Sequence, residues 1–137
     1  MILTLILSNK ILEIIKQHIL ESKPYEACGL IIGLIKDSIA EGKEVLRIKN
    51  VQISHIEFLM EPTELCDAYL YAEKKGLDVV AVYHSHPNST KPSALDIRNM
   101  KLNPYVWLIF NMHTLEFEGF YMDYTTEKIF PVEIKIL

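Results

Sequence analysis

Two short, almost continuous apolar runs constrain the fold of this 137-residue chain more than any other feature. They lie at residues 28–35 and 79–83 and are too short to stand as isolated helices. Runs of this length predict strands that are buried on both faces, and such strands occur in sheets whose two faces are covered by helices. The chain is therefore expected to form a sheet with helices packed against it.

The helix signals lie between these runs. Ser8 is placed to cap a helix over about residues 9–22, which Pro24 then ends. A second helix is predicted to begin at Pro62 and to end at Gly76, because proline favours the first helical position and glycine the position after the last.

A third, short helix is predicted to begin at Ser93. The remaining strands are predicted at residues 2–8, 45–49, 105–110, 115–121 and 128–136, and the last two are expected to pair as a hairpin. The stretch 51–60 is ambiguous. This order of elements predicts one α/β domain, over residues 1–137, with a central mixed sheet flanked by helices.

Composition excludes several classes of function. The net charge is −4 and the pI is about 5.7, so the chain lacks the basic clustering of a nucleic-acid-binding protein. No apolar run reaches the ~18–20 residues that span a bilayer. The apolar start is too short for a signal peptide and has no basic segment before it. A cytoplasmic protein is expected, with Cys28 and Cys66 as free, buried, structural thiols.

The segment most informative about chemistry is His84-Ser85-His86-Pro87. In an extended chain, residues two apart point to the same face about 7 Å from each other, so His84 and His86 can converge on one ion. Asp96, in the first turn of the third helix, is a candidate third ligand. Three protein ligands and one open position are typical of a catalytic zinc site.

Other interpretations of these residues remain open at this level. Two histidines at a strand end are also consistent with partly exposed polar positions. Ser93 and Asp96 have the spacing of a helix capping box. The same histidine pair occurs in barrel amidohydrolases, but that fold needs about 200–250 residues and the length excludes it.

A family resemblance adds to this interpretation. The histidine segment and the later Ser93-x-x-Asp96 resemble the signature of the JAMM (JAB/MPN) metallopeptidase family. Residues 24–33, around Glu26, resemble the strand that bears the family's glutamate, and residues 58–62 resemble its approach to the second helix. The resemblance covers about residues 4–123 and implies the cytidine-deaminase-like MPN/JAB fold.

The resemblance also assigns roles. It implies one Zn²⁺ per chain held by His84, His86 and Asp96, with Glu26 as general base and Ser93 as the hydroxyl that stabilises the oxyanion. Spacing alone does not separate Glu26 from the other glutamates, Glu21, Glu57, Glu61 and Glu64. Six residues separate His86 from Ser93, one fewer than is usual in the family, and the loop at 88–91 is expected to absorb the difference.

The function that the resemblance implies is hydrolysis after the glycine-rich C-terminal tail of a ubiquitin-like or sulfur-carrier protein. The chain resembles the minimal prokaryotic or archaeal form, with little room for insertions that grip ubiquitin. The tail is expected to add to a free sheet edge near the zinc ligands. Two alternatives remain: a non-catalytic MPN-type interaction module, and a RadC-like protein associated with DNA repair.

Overall fold

Strands and helices follow one another along the chain in the predicted order. The structure, a computed structural model, describes residues 1–52 and 54–137. The described elements are β1 (Thr4–Leu7), α1 (Asn9–Ser22), β2 (Cys28–Lys36), β3 (Ile39–Ile48), α2 (Pro62–Lys74), β4 (Asp78–His86), α3 (Ala94–Met100), β5 (Val106–Asn111), β6 (Phe117–Met122) and β7 (Ile129–Ile136).

The strands form one mixed sheet, as predicted, and the sheet closes into a barrel, which the sequence did not indicate. The order around the barrel is β1-β3-β2-β4-β5-β6-β7. β1 is parallel to both β3 and β7, β4 is parallel to β5, and the other neighbours are antiparallel, including the expected β6–β7 pair. Closure gives every named strand two neighbours, so the free edge expected near the site is not a terminal strand of this sheet.

The sheet separates two apolar clusters, each of which covers one face. The alternation is clearest in β5, where Val106, Leu108 and Phe110 join the cluster that contains α1, whereas Trp107 and Ile109 join the cluster that contains buried residues of α2 and α3. This period-two burial is what a strand covered on both faces requires. The helices therefore flank the sheet, and β4 and β5 lie at its buried centre.

The helix ends follow from local sequence. The Ser8 hydroxyl accepts a hydrogen bond from the backbone N–H of Ile11 at 3.2 Å and caps α1. Pro62 opens α2, where the Glu61 carboxylate accepts from the backbone N–H of Glu64 at 2.7 Å. No helix in the described ranges is long and apolar enough to cross a bilayer.

Some expectations from the sequence need correction. β3 begins well before residue 45, because pairing with β1 and β2 recruits a polar segment. The end of the run at 28–35 leaves the core, and Leu34 and Ile35 are exposed. Both cysteines are free, but Cys66 is exposed and not buried. The ambiguous stretch 51–60 includes residue 53, which lies outside the described residues.

Candidate metal centre

Two histidines lie side by side at the end of β4. β4 continues through His86, beyond the predicted end of the strand, and pairs with β2 on one side and β5 on the other. Because they are two residues apart in a strand, His84 and His86 face the same way, and their Nε2 atoms lie 2.8 Å apart. Both side chains are buried.

A carboxylate from α3 completes a triangle with the two imidazoles. The Asp96 Oδ2 atom lies 3.2 Å from His84 Nε2 and 3.0 Å from His86 Nε2. The same oxygen accepts a hydrogen bond from the backbone N–H of Ser93 at 2.9 Å, and the Ser93 hydroxyl accepts from the backbone N–H of Asp96 at 3.1 Å. This capping box fixes the carboxylate, so helix capping and placement at the histidines go together.

The loop before α3 is held by two side-chain contacts to another strand of the sheet. Thr90 donates a hydrogen bond to the Glu118 carboxylate, and the Lys91 ammonium lies 2.7 Å from the same group. Glu118 belongs to β6. These contacts tie the six-residue loop that follows His86 to the barrel. Ser93 lies at the start of α3 even though this loop is one residue shorter than is usual in the family.

Glu26, two residues before the start of β2, also lies beside the two histidines. One carboxylate oxygen of Glu26 and one ring nitrogen each of His84 and His86 all lie within 4.8 Å of one another. Ser85 lies between the histidines and points to the opposite face, where its hydroxyl accepts from the backbone N–H of Ala27 at 2.9 Å. This contact fixes the chain next to Glu26.

The donor set fits a zinc ion. Zinc bonds of about 2.0–2.1 Å in a tetrahedron place ligand atoms roughly 3.3 Å apart, and the three contacts among His84, His86 and Asp96 are 2.8–3.2 Å. The two short contacts of Asp96 favour it as the third ligand, although a carboxylate oxygen of Glu26 also lies within 4.8 Å of the histidine nitrogens. Glu26 Oε2 is buried without a hydrogen-bond partner in the described chain, as a group that faces a bound water or ion would be.

The two carboxylates differ in their electrostatics. Burial raises the pKa of Glu26 to about 7, against the opposing effect of His86. Burial also acts to raise the pKa of Asp96, but the hydrogen bonds with His84 and His86 outweigh it and hold that pKa well below its usual range. Burial lowers the pKa of His84 and favours the neutral imidazole that a metal requires.

Aromatic side chains enclose the histidines. The Phe58 ring lies 4.6 Å from the His84 ring, and the Trp107 ring lies 5.7 Å away, edge to face. Trp107 is buried, as expected for a core residue, and so is Cys28 beside it. An apolar surround of this kind limits water access and strengthens the electrostatic interactions at the site.

The structure therefore gathers all five residues that the sequence singled out. Glu26, His84, His86 and Asp96 lie within one buried cluster, and Ser93 lies next to it as the cap of α3. Sequence reasoning missed Phe58 as a wall of the site and Asn50, whose side chain binds the backbone of Glu26. No sequence pattern distinguishes either residue from its neighbours.

Two proteins of named activity are similar to this chain in sequence. A desampylase from Pyrococcus furiosus is 35% identical over 106 residues, which is 72% of this chain and 73% of that protein. A probable TtuB-protein conjugate cleaving protease from Thermus thermophilus is 34% identical over 107 residues, 76% of this chain and 69% of that protein.

Solved structures show the same fold. The solution structure of a Desulfitobacterium hafniense protein matches with a TM-score of 0.84 at 26% identity, over 97% of this chain and 92% of the other. A Salinibacter ruber protein matches with a TM-score of 0.70 at 26% identity, over 96% and 90%. The model of prokaryotic homologs of the JAB domain matches residues 8–121, and the chain belongs to that family.

Proposed function

We propose that this protein is a zinc-dependent peptidase or isopeptidase that hydrolyses the bond after the C-terminal glycine tail of a ubiquitin-like or sulfur-carrier protein. The observation that carries the proposal is the convergence of His84, His86 and Asp96 within 2.8–3.2 Å, with the buried Glu26 beside them. Three ligands with an acid–base group next to the remaining position suit metal-assisted hydrolysis.

Proton transfer falls to Glu26. A bound zinc ion supplies the Lewis acid that lowers the pKa of water from 15.7 to about 7. Amide hydrolysis needs a base that takes a proton from water and an acid that gives one to the departing amine. A carboxyl group whose pKa burial raises to about 7 exchanges protons in both directions near neutral pH.

Ser93 supplies a hydroxyl at the edge of the same cluster. Its oxygen accepts from the backbone N–H of Asp96, which leaves the hydroxyl hydrogen available as a donor. A donor that meets the developing oxyanion contributes about 3–4 kcal/mol to lowering the barrier. Capping of α3 and stabilisation of the oxyanion are compatible, because they use different atoms of the hydroxyl.

The burial of the site favours a substrate with a narrow end. Glu26, His84, His86 and Asp96 are only 1%, 0%, 9% and 3% exposed. A substrate backbone reaches such atoms most easily where it carries no side chains, so a glycine-rich tail suits the site. The tail can lie along the segment that includes Phe58, which packs on His84 and belongs to a short antiparallel pairing through Asn50 and Met60.

The names of the relatives support the same class of substrate. One is called a desampylase and the other a probable TtuB-protein conjugate cleaving protease. The buried cluster suits a narrow chain end better than the surface of a globular modifier. Recognition is therefore proposed to rest on the tail, with loose selection among ubiquitin-like folds.

The test uses small archaeal or bacterial ubiquitin-like proteins, fused through their Gly-Gly end to a reporter peptide or linked to a lysine. Mass spectrometry of the products identifies the bond that is cut. Cleavage after the last glycine, abolished by a chelator and restored by zinc, is the expected result. A matched fusion with Ala-Ala at the junction should be cut far more slowly.

Two outcomes would contradict the proposal. Cleavage within unfolded proteins without preference for the Gly-Gly junction would leave a general metallopeptidase. Absence of cleavage together with absence of bound zinc would favour a non-catalytic interaction module.

A further inference from the structure

The Asn50 side chain uses both ends of its amide to join two parts of the site. Its Nδ2 atom donates to the backbone carbonyl of Glu26 at 2.8 Å. Its Oδ1 atom accepts from the backbone N–H of Gln52 at 2.9 Å and from that of Leu59 at 3.0 Å. Asn50 lies two residues beyond β3 and is half-buried.

The Glu26 end of this link matters because Glu26 lies outside the strand ladder. β2 begins at Cys28, and Ser85 holds Ala27 through two hydrogen bonds, from Ala27 N to Ser85 Oγ at 2.9 Å and from Ser85 N to Ala27 O at 3.1 Å. The Glu26 carboxylate has one oxygen with no partner in the described residues. Its position therefore depends on how the backbone is held, and the bond from Asn50 is the direct restraint on residue 26.

The other end of the link holds the segment that covers the histidines. The backbone N–H of Val51 donates to the carbonyl of Leu59 at 2.9 Å, and Asn50 pairs with Met60 as an isolated bridge. Phe58, next to Leu59, packs on the His84 ring. One amide thus connects the backbone of the acid–base group with the wall of the metal cluster.

We infer that Asn50 is a positioning residue. Its side chain holds Glu26 in place beside the bond that is cut and fixes the position of Glu26 relative to residues 58–60. The inference rests on the proposed function, because it concerns the geometry of that reaction. Misplacing a catalytic group by about 1 Å lowers the rate by up to about 10²-fold. Binding of zinc by the proposed ligands should be unchanged, because Asn50 does not contact them. The effect of losing the bond should therefore appear in kcat.

The first variant removes only the link to Glu26. Asn50→Asp keeps an oxygen for Gln52 N and Leu59 N but replaces the donor to the Glu26 carbonyl with an acceptor. With a Gly-Gly fusion as substrate, kcat should fall about 10- to 100-fold with KM unchanged. Zinc content by elemental analysis should stay at the wild-type level, and the lost hydrogen bond should lower the melting temperature by only a few degrees.

A double-mutant cycle separates positioning from a general structural effect. In a Glu26→Gln background the acid–base group is already lost, so adding Asn50→Asp should lower the residual kcat less than twofold. Residues that act as a unit show this lack of additivity, whereas independent effects multiply.

A neutral variant excludes an effect of the added charge and serves if the first variant does not fold. Asn50→Leu removes both ends of the link, so kcat should fall by a similar factor and KM should rise as well, because the 58–60 segment is released. Asn9→Asp is the control for the change of amide to carboxylate, since Asn9 is an exposed residue at the start of α1. This control should keep the wild-type kcat and KM.

Wild-type kcat in folded Asn50→Asp or Asn50→Leu would overturn the inference. So would a loss in the Glu26→Gln background as large as in the wild type, because the role would then be structural. A wild-type protein that binds zinc but cuts none of the fusions would reject the proposed function instead, and the role of Asn50 with it.

Discussion

At the scale of single residues, the site separates two carboxylates by their surroundings. Asp96 has both histidines and the backbone of Ser93 around it, and these partners stabilise the ionised form. Glu26 is buried, which raises its pKa to about 7, and within the described residues one of its carboxylate oxygens has no hydrogen-bond partner. Groups whose environments push their pKa values apart suit different roles, and the roles proposed here are ligand for Asp96 and proton carrier for Glu26.

The first prediction concerns Glu26→Gln. This change removes the proton carrier but no ligand, so kcat on a Gly-Gly fusion should fall by about 10²–10⁴-fold while zinc content and melting temperature hold. Glu21→Gln is the control, because Glu21 is an exposed carboxylate paired with Arg47 outside the cluster. If Glu26→Gln keeps nearly full activity, another carboxylate is the base.

The second prediction concerns Ser93→Ala. If the hydroxyl meets the oxyanion, kcat should fall by about 10²–10³-fold, and loss of the cap should cost about 1 kcal/mol of stability as well. Ser8→Ala loses the equivalent cap of α1 and should show only the stability effect. Equal kinetic behaviour of the two variants, measured with the same fusion, would reduce Ser93 to a helix cap.

At the residue level, the sequence allows a prediction where a motif carries the chemistry. The convergence of His84 and His86 follows from strand periodicity, and Asp96 was a candidate from the first turn of the third helix, with the full ligand set implied by the resemblance to a family. Glu26 could be selected only through the resemblance to a family. Asn50 could not be found at all, because its partners are backbone atoms of Glu26, Gln52 and Leu59, which the fold brings together.

At the scale of elements, α1 is joined to β4 by a polar contact that depends on protonation. His18 Nδ1 lies 2.7 Å from the buried Tyr83 hydroxyl, within hydrogen-bond distance. Burial, assisted by the charge of Arg47, lowers the pKa of His18 to about 4 from the ordinary 6.5. Protonation of His18 is therefore easier in the unfolded chain than in the folded one.

The third prediction follows from that sign. Between pH 6.5 and about 4, His18 binds a proton in the unfolded chain but not in the folded one. The free energy of unfolding therefore decreases as the pH falls through this range, and the contribution of His18 is constant above pH 6.5. One proton corresponds to a slope of at most about 1.4 kcal/mol per pH unit. Urea unfolding of the wild type and His18→Gln across this range should show the smaller slope in the variant. Parallel curves would mean that His18 titrates normally.

Element-level prediction worked where the hydrophobic pattern is local. Helix α1 was predicted over the residues that it occupies, because its apolar stripe and the Ser8 cap lie within one segment. The first half of β3 was missed, since residues 41–44 are mostly polar and show no alternation. Their strand conformation comes from pairing with β2, and residues 39–41 pair with β1 as well.

At the scale of the whole molecule, closure of the barrel is the feature that cannot be predicted from local sequence patterns. Residues 4–7 of β1 pair in parallel with residues 133–136 of β7 at the other end of the chain. Such pairing depends on where the intervening strands and helices place the two ends, not on the pattern of either strand. The same nonlocal order brings Glu26, β4 and α3 to one place.

The last prediction links that assembly to the metal. The proposed ligands His84 and His86 lie on β4, and Asp96 lies on α3, so a complete zinc site exists only in the folded protein. A ligand that binds only the folded state at 1,000 times its Kd adds about 4 kcal/mol of stability, which for a chain of this length raises the melting temperature by roughly 10 °C or more. Scanning calorimetry of stripped and zinc-loaded protein should show this rise, with about one zinc per chain by elemental analysis.

His113→Ala, which changes an exposed histidine outside the site, should retain both the ion and the shift. The double variant His84→Ala, His86→Ala should lose both, and unchanged zinc content in that variant would place the metal elsewhere.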